Sequence, residues 1–207
     1  MKKLKTIVYI DGFNLYYCAL KNTKNKWLDL NKLCLAVMPD KCEIVAINYY
    51  TARVSGRIGS TAARDQNAYI QALQTLTNLR IHFGKFLSQD KWMFLSDPLK
   101  FRPEVSIQPQ PKPKYAYVIK TEEKGSDVNL GVHLVKDACQ NNFDTAAVIT
   151  NDTDLMEPIR IVTQEMGKKV TLITPVIKRK MKPSESLVKV SSNIRHLENY
   201  LSSCQFS

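Results

Sequence analysis

Thr145 to Leu155 reads TAAVITNDTDL. The apolar run Ala146, Ala147, Val148 and Ile149 has the length of a buried strand. It ends in Thr150 and Asn151, and two carboxylates come next, Asp152 and Asp154, one residue apart. Strands of a parallel sheet are covered on both faces, and ligands bind outside their carboxyl ends, so acids placed there meet a substrate while the strand stays buried. Two carboxylates this close repel each other unless a cation lies between them. An oxygen-rich divalent-metal site is the economical explanation.

Working outward, the same grammar recurs. Thr6 to Ile10, TIVYI, reads as a buried strand that stops at Asp11-Gly12, and Phe13 to Leu20 continues with helical character. Asp-Gly is also a common turn dipeptide, so Asp11 alone decides nothing. Leu28 to Met38 reads as a helix closed by Pro39, Ile44 to Val54 as a strand, Ala62 to Leu79 as a helix and Ile81 to Leu87 as a strand. Tyr115 to Ile119 restores strand character, and Val128 to Cys139 is a largely apolar helix with Asp127 at its first turn. Ser126 or Asp127 can equally be a plain helix cap, and His133 within that helix reads as a packed residue. Leu155 to Met166 is a further helix, Lys169 to Thr174 the last clear parallel strand, and Ser192 to Leu201 a short closing helix. Repeated strand and helix predict an α/β fold, a three-layer α/β/α sandwich with a mainly parallel central sheet.

The pattern fails between Ser88 and Lys114. Pro98, Pro103, Pro109, Pro111 and Pro113 exclude a long helix or central strand there, which leaves an extended excursion or a loose hairpin. Its tail, Gln108 to Lys114, is polyproline-like and basic, a spacer or a flap.

The chain has 207 residues, 44% apolar and 24% charged, which suits one domain with additions. We expect a core over 6–174, the Pro-rich excursion over 88–114 and an extension over 175–207. No apolar run reaches the roughly 18 residues of a membrane span, and the amino terminus lacks a signal-peptide pattern, so a cytoplasmic location is expected. Five scattered cysteines without a CxxC pair suggest buried thiols and neither disulfides nor zinc. The net charge of +11 points to a polyanionic partner, nucleic acid first.

Asp11, Asp127 and the pair Asp152 and Asp154 thus fall at three strand-to-helix junctions. Carboxylates converging on one sheet edge are costly without a hard cation, and magnesium or manganese fits oxygen ligands. Such an ion activates water and neutralises charge on a phosphodiester.

Ile7 to Leu15 (IVYIDGFNL), Lys124 to Asp127 (KGSD), Val148 to Leu155 (VITNDTDL) and Gly167 to Val170 (GKKV) resemble, in this order, the NYN domain, a LabA-like branch of the PIN-like nucleases. Pro183 to Leu197 also resembles the closing segment of that family. The resemblance implies a PIN-like sandwich and metal-dependent RNA cleavage. It implies Asp11, Asp127, Asp152 and Asp154 as the acidic cluster, Asn14 as a polar companion, and Thr150 where the family has a small hydroxyl residue. Asn151 stands where the family often has glycine, Ser126 where an apolar residue is usual, and Leu155 in place of a common Phe. Asparagine tolerates left-handed backbone, so the loop can persist.

The expectation is a divalent-metal-dependent endoribonuclease. Asp11, Asp127 and Asp152 bind Mg2+ or Mn2+, Asp154 binds a second ion or orients water, and Asn14 positions a ligand. Lys124, Thr150, Asn151, Arg53 and Arg57 contact substrate, with the basic loop Lys178 to Lys182 adding phosphate contacts. Tyr49 and Tyr50 are candidates to stack bases, although adjacent strand residues point to opposite faces and at least one belongs to the core. The RNA can be single-stranded or structured, and a homodimer is compatible with the sequence. The rival readings are a catalytically silent RNA-binding or regulatory module with the same fold, and a phosphatase or nucleotidase for small phosphates.

Overall fold

Strand alternation on both faces of one sheet organises the chain. In the computed structural model, which describes residues 2–54, 60–105, 110–177 and 181–206, β1 (Leu4–Asp11) lies centrally in a six-stranded sheet. The other strands are β2 (Cys42–Thr51), β3 (Leu79–Phe83), β6 (Thr145–Ile149), β7 (Lys169–Thr174) and β8 (Asn193–His196), in the order β3-β2-β1-β6-β7-β8, and every pairing is parallel. Val8, Ile10, Ile47, Tyr49, Ala147 and Ile149 enter one core, while Tyr9, Tyr50, Ala146, Val148 and Leu172 enter the other. This period of two on both faces is what a doubly covered strand requires.

Helices cover the two cores. On the first face lie α1 (Gly12–Leu15), which runs on through a wider π turn at Tyr16–Leu20, α2 (Leu30–Val37) and α3 (Ser60–Gln74), contributing Leu15, Leu33, Val37 and Leu73. On the second lie α4 (Ser126–Cys139), α5 (Met156–Arg160) with its π continuation to Glu165, and α6 (Glu185–Val190), contributing Leu130, Leu134, Ile159, Val162 and Leu187. The result is the expected mostly parallel sheet flanked by helices.

Strand order reverses at β1. The chain steps from β1 through β2 to β3 on one side and from β6 through β7 to β8 on the other. Such a switch point opens a crevice at the carboxyl ends of the two central strands, here β1 and β6.

The helix expected over Ala62 to Leu79 ends at Gln74, with Leu79 opening β3, and further segments differ from expectation. The run Ile81 to Leu87 is not one strand: it breaks at Gly84, and β4 (Lys85–Phe94) leaves the main sheet to pair antiparallel with β5 (Tyr115–Lys124). Gly84 is needed there, because a Cβ would come within 2.7 Å of the Lys124 carbonyl oxygen. Of the two expectations for the excursion, the hairpin is the one found, built on two ten-residue strands. The closing helix Ser192 to Leu201 is replaced by edge strand β8 and a single 3-10 turn, Glu198–Tyr200. Thiols are mixed: Cys34 and Cys204 are buried, whereas Cys139 is exposed. Among the described residues no helix is long and apolar enough to cross a membrane.

Candidate functional site

Register builds the site. Ile10 pairs with Ile149 across β1 and β6, so the next residues on each strand, Asp11 and Thr150, emerge side by side. Gly12 then lets α1 turn tightly against β2, since a Cβ would lie 2.6 Å from the Tyr49 ring and 2.7 Å from the Tyr50 carbonyl oxygen. Oδ1 of Asp11 accepts the Asn14 backbone N–H at 2.9 Å and caps the helix, while Oδ2 accepts the Thr150 hydroxyl at 3.1 Å. The Thr150 oxygen in turn accepts the Asp152 N–H at 3.0 Å.

Asn14 holds the loop from the other strand. Its Oδ1 accepts the Asn151 N–H at 2.8 Å. Asn151 then ties the β6 loop to the next segment, its Oδ1 accepting the Ser184 N–H at 2.7 Å. Positive φ outside glycine occurs, among the described residues, at Asn22 and Asn141. Asn151 thus needs no left-handed conformation; its side chain is used for hydrogen bonds.

Asp11, Asn14, Asp127 and Asp152 line one cavity of about 190 Å³, together with Phe13, Tyr17, Glu123 and Ser126. Glu123 is a member that sequence reasoning passed over. Its Oε1 accepts the Ser126 N–H at 3.1 Å, so it caps α4, a task expected of Ser126 or Asp127. Asp127 sits in the first turn of the same helix, where its charge suits the helix dipole. Burial raises the Asp11 carboxyl from 3.8 to about 6, opposed by the Asn14 and Thr150 hydrogen bonds and reinforced by the charges of Asp152 and Glu123. The acids therefore feel one another.

The other expected residues lie elsewhere. Asp154 lines a neighbouring apolar groove with Asp127, Val128, Val132, Leu155 and Pro158. Thr150 is fully buried and contacts the two aspartates, so it positions them and cannot itself meet a ligand. Lys124 is not in the cavity lining; it points its ammonium at Glu122, 3.6 Å away. Arg53 donates to Asn67 at 3.1 Å and lies over the Phe83 ring. Arg57 and Lys178 to Lys180 lie outside the described residues. Tyr49 and Tyr50 are both buried, one in each core, and neither can stack a base. His133 is packed, its Nδ1 3.0 Å from the Tyr50 hydroxyl.

Among the described residues no group of three or more His, Cys, Asp or Glu side chains is gathered closely enough to hold a metal ion. The donors around the cavity are nevertheless all oxygen, and magnesium keeps several waters and takes one or two carboxylates. Asp11, Asp152 and Asp127, with Glu123 beside them, fit such an ion in chemistry.

Comparison with known proteins bears on the same region. A curated relative, 6-hydroxy-3-succinoylpyridine 3-monooxygenase HspA of Pseudomonas putida, is 27% identical over 204 residues, which is 90% of this chain and 64% of that protein. The chain thus spans less than two thirds of that relative. A solved protein of unknown function from Vibrio parahaemolyticus matches with a TM-score of 0.55 and 16% identity over 94% of this chain and 93% of its own, a likeness of fold. The family model described as NYN domain matches residues 5–198. With the match covering nearly all of its length, the chain belongs to the NYN domain family.

Proposed function

We propose that the protein is a divalent-metal-dependent endoribonuclease. The observation that carries this reading is the gathering of Asp11, Asp127, Asp152 and Glu123 around one cavity at the β1/β6 switch point of a chain with net charge +11. A basic protein draws RNA in, and an acidic pocket within it needs a cation before it can accept a phosphate.

Asp11, Asp152 and Asp127 would hold Mg2+ or Mn2+. When bound, such an ion neutralises charge on the phosphodiester and lowers the pKa of a coordinated water. The remaining work falls to the chain. Thr150 and Asn14 fix the Asp11 carboxylate through its two oxygens. Asn14 also fixes the loop that carries Asp152. Oε1 of Glu123 is engaged by the Ser126 N–H, and its other oxygen, Oε2, would take the proton of the attacking water. Arg53 and Lys182 supply phosphate contacts that position the strand without reading its sequence.

The test is cleavage of labelled single-stranded and structured RNA with magnesium, manganese or EDTA, beside Asp152→Asn. Metal-dependent products that vanish in the variant support the proposal; binding without turnover under any metal overturns it. The second reading is a catalytically silent RNA-binding module with the same fold. Steep loss of RNA affinity with salt separates either polymer reading from a small-phosphate hydrolase.

A further inference from the structure

The stacking surface that β2 does not supply exists on the β4/β5 hairpin. Trp92 is 64% exposed, Phe94 70%, Tyr117 61% and Tyr115 54%. Trp92 stands directly opposite Tyr117 and Phe94 opposite Tyr115, each pair with ring centroids 5.2 Å apart. Alternation puts all four rings on one face of the ribbon, in two rungs about 6.8 Å apart along the strands. So much exposed aromatic surface on two strands gains little from folding and marks an interaction surface.

The same face leads to the candidate site. Traced two residues at a time, it passes Asp90 and Ile119, then Ser88 and Thr121, and ends at Phe86 and Glu123. Phe86 packs edge-on against Phe13, with centroids 5.6 Å apart, and both Phe13 and Glu123 line the acidic cavity. The ladder and the cavity share one continuous surface.

Charge distinguishes the occupant. Within β4 and β5 the aromatic face carries no cation, so it offers a ligand ring surface and not phosphate contacts. The reverse face carries Lys85, Lys91, Lys120 and Lys124 against the single acid Glu122. In a chain of net charge +11 the exposed rings suit a single strand of nucleic acid, whose anionic backbone is drawn to a basic protein and whose bases have π faces. In a duplex the bases are stacked on each other and the rings have nothing to offer.

We propose that the Trp92/Tyr117 and Phe94/Tyr115 rungs are a stacking platform that binds unpaired bases of single-stranded RNA and leads the strand to the acidic cavity. This rests on the RNA-nuclease reading and narrows its substrate class to unpaired RNA.

The test uses Trp92→Ala/Tyr117→Ala and Phe94→Ala/Tyr115→Ala, each checked for unchanged thermal unfolding. A short single-stranded oligoribonucleotide carrying 2-aminopurine and a matched duplex are titrated in EDTA. Wild type is expected to quench 2-aminopurine, and each double variant to lose about 5- to 150-fold in single-strand affinity per unstacked base, with duplex affinity and salt slope unchanged. Wild-type single-strand affinity in both variants overturns the platform. A sedimentation shift from dimer to monomer with RNA affinity intact assigns the rungs to contact between copies and overturns it equally. In both cases metal-dependent cleavage by wild type leaves the nuclease reading standing. Wild type that binds no RNA and cleaves none overturns both.

Discussion

The Thr150 hydroxyl donates to Oδ2 of Asp11 at 3.1 Å while accepting the Asp152 N–H at 3.0 Å, so one buried oxygen couples two aspartates across the β1/β6 seam. Thr150→Val keeps the shape and removes both bonds. A hydrogen bond to a charged group contributes about 1.5–3 kcal/mol, so the variant should lose roughly ten- to hundredfold in cleavage rate. Thr150→Ser should recover most of it. Single-turnover rates at saturating magnesium check the prediction, and an unchanged rate for the valine variant removes Thr150 from the positioning scheme.

Asp11 is the acid whose environment is most hostile to charge. Its folded pKa, about 6, lies above the ordinary 3.8, with burial the main cause. The folded state therefore holds the proton more tightly, and stability falls as pH rises from about 4 through 6. At about 1.4 kcal/mol per unit, the ionised carboxylate costs roughly 3 kcal/mol at neutral pH. Asp11→Asn in EDTA should accordingly gain up to about 3 kcal/mol in urea unfolding near pH 7.5, and the gain should vanish below about pH 4. Magnesium should stabilise wild type near neutral pH and leave Asp11→Asn unmoved. A variant less stable than wild type at neutral pH contradicts the assignment.

Glu123 combines a structural task with a proposed chemical one, and substitution separates them. Gln retains a carbonyl oxygen for the Ser126 N–H but cannot take a proton. Glu123→Gln should unfold like wild type yet lose about 10²- to 10⁴-fold in cleavage rate. Glu123→Ala should add a loss of stability of about 1 kcal/mol from the missing cap. Wild-type turnover in the Gln variant reduces Glu123 to a cap.

Much of the cavity was legible because Asp11 and Asp152 lie at the ends of continuous apolar strands, and a parallel sheet displays the residues just beyond its strands. Glu123 was not legible. It is an ordinary strand residue until the hairpin folds back and brings its end beside β1, a long-range event with no local signal. Tyr49 and Tyr50 misled for the opposite reason: strand β2 is covered on both faces, so alternation sent one ring into each core. Strand β8 was missed because Asn193, Arg195 and His196 flank a single apolar residue, Ile194, which an edge position tolerates. The sequence spacing of Asp152 and Asp154 hid the 3-10 turn over Thr153–Leu155, which separates their side chains.

That turn makes the last prediction sharp. Oδ1 of Asp152 accepts the Asp154 N–H at 3.1 Å, and Asn can accept the same bond, so Asp152→Asn should keep the loop while removing the charge. Asp152 lines the acidic cavity; Asp154 lines the groove beside Val128, Val132 and Leu155. If the cavity is where the phosphodiester breaks, Asp152→Asn should lower the cleavage rate by about a hundredfold or more, and Asp154→Asn should stay within about tenfold of wild type. Rates measured side by side at one magnesium concentration decide it. Equal and severe losses in both variants mean that the loop rearranges to bring Asp154 to the reacting phosphate, and the cavity as described is then only part of the site.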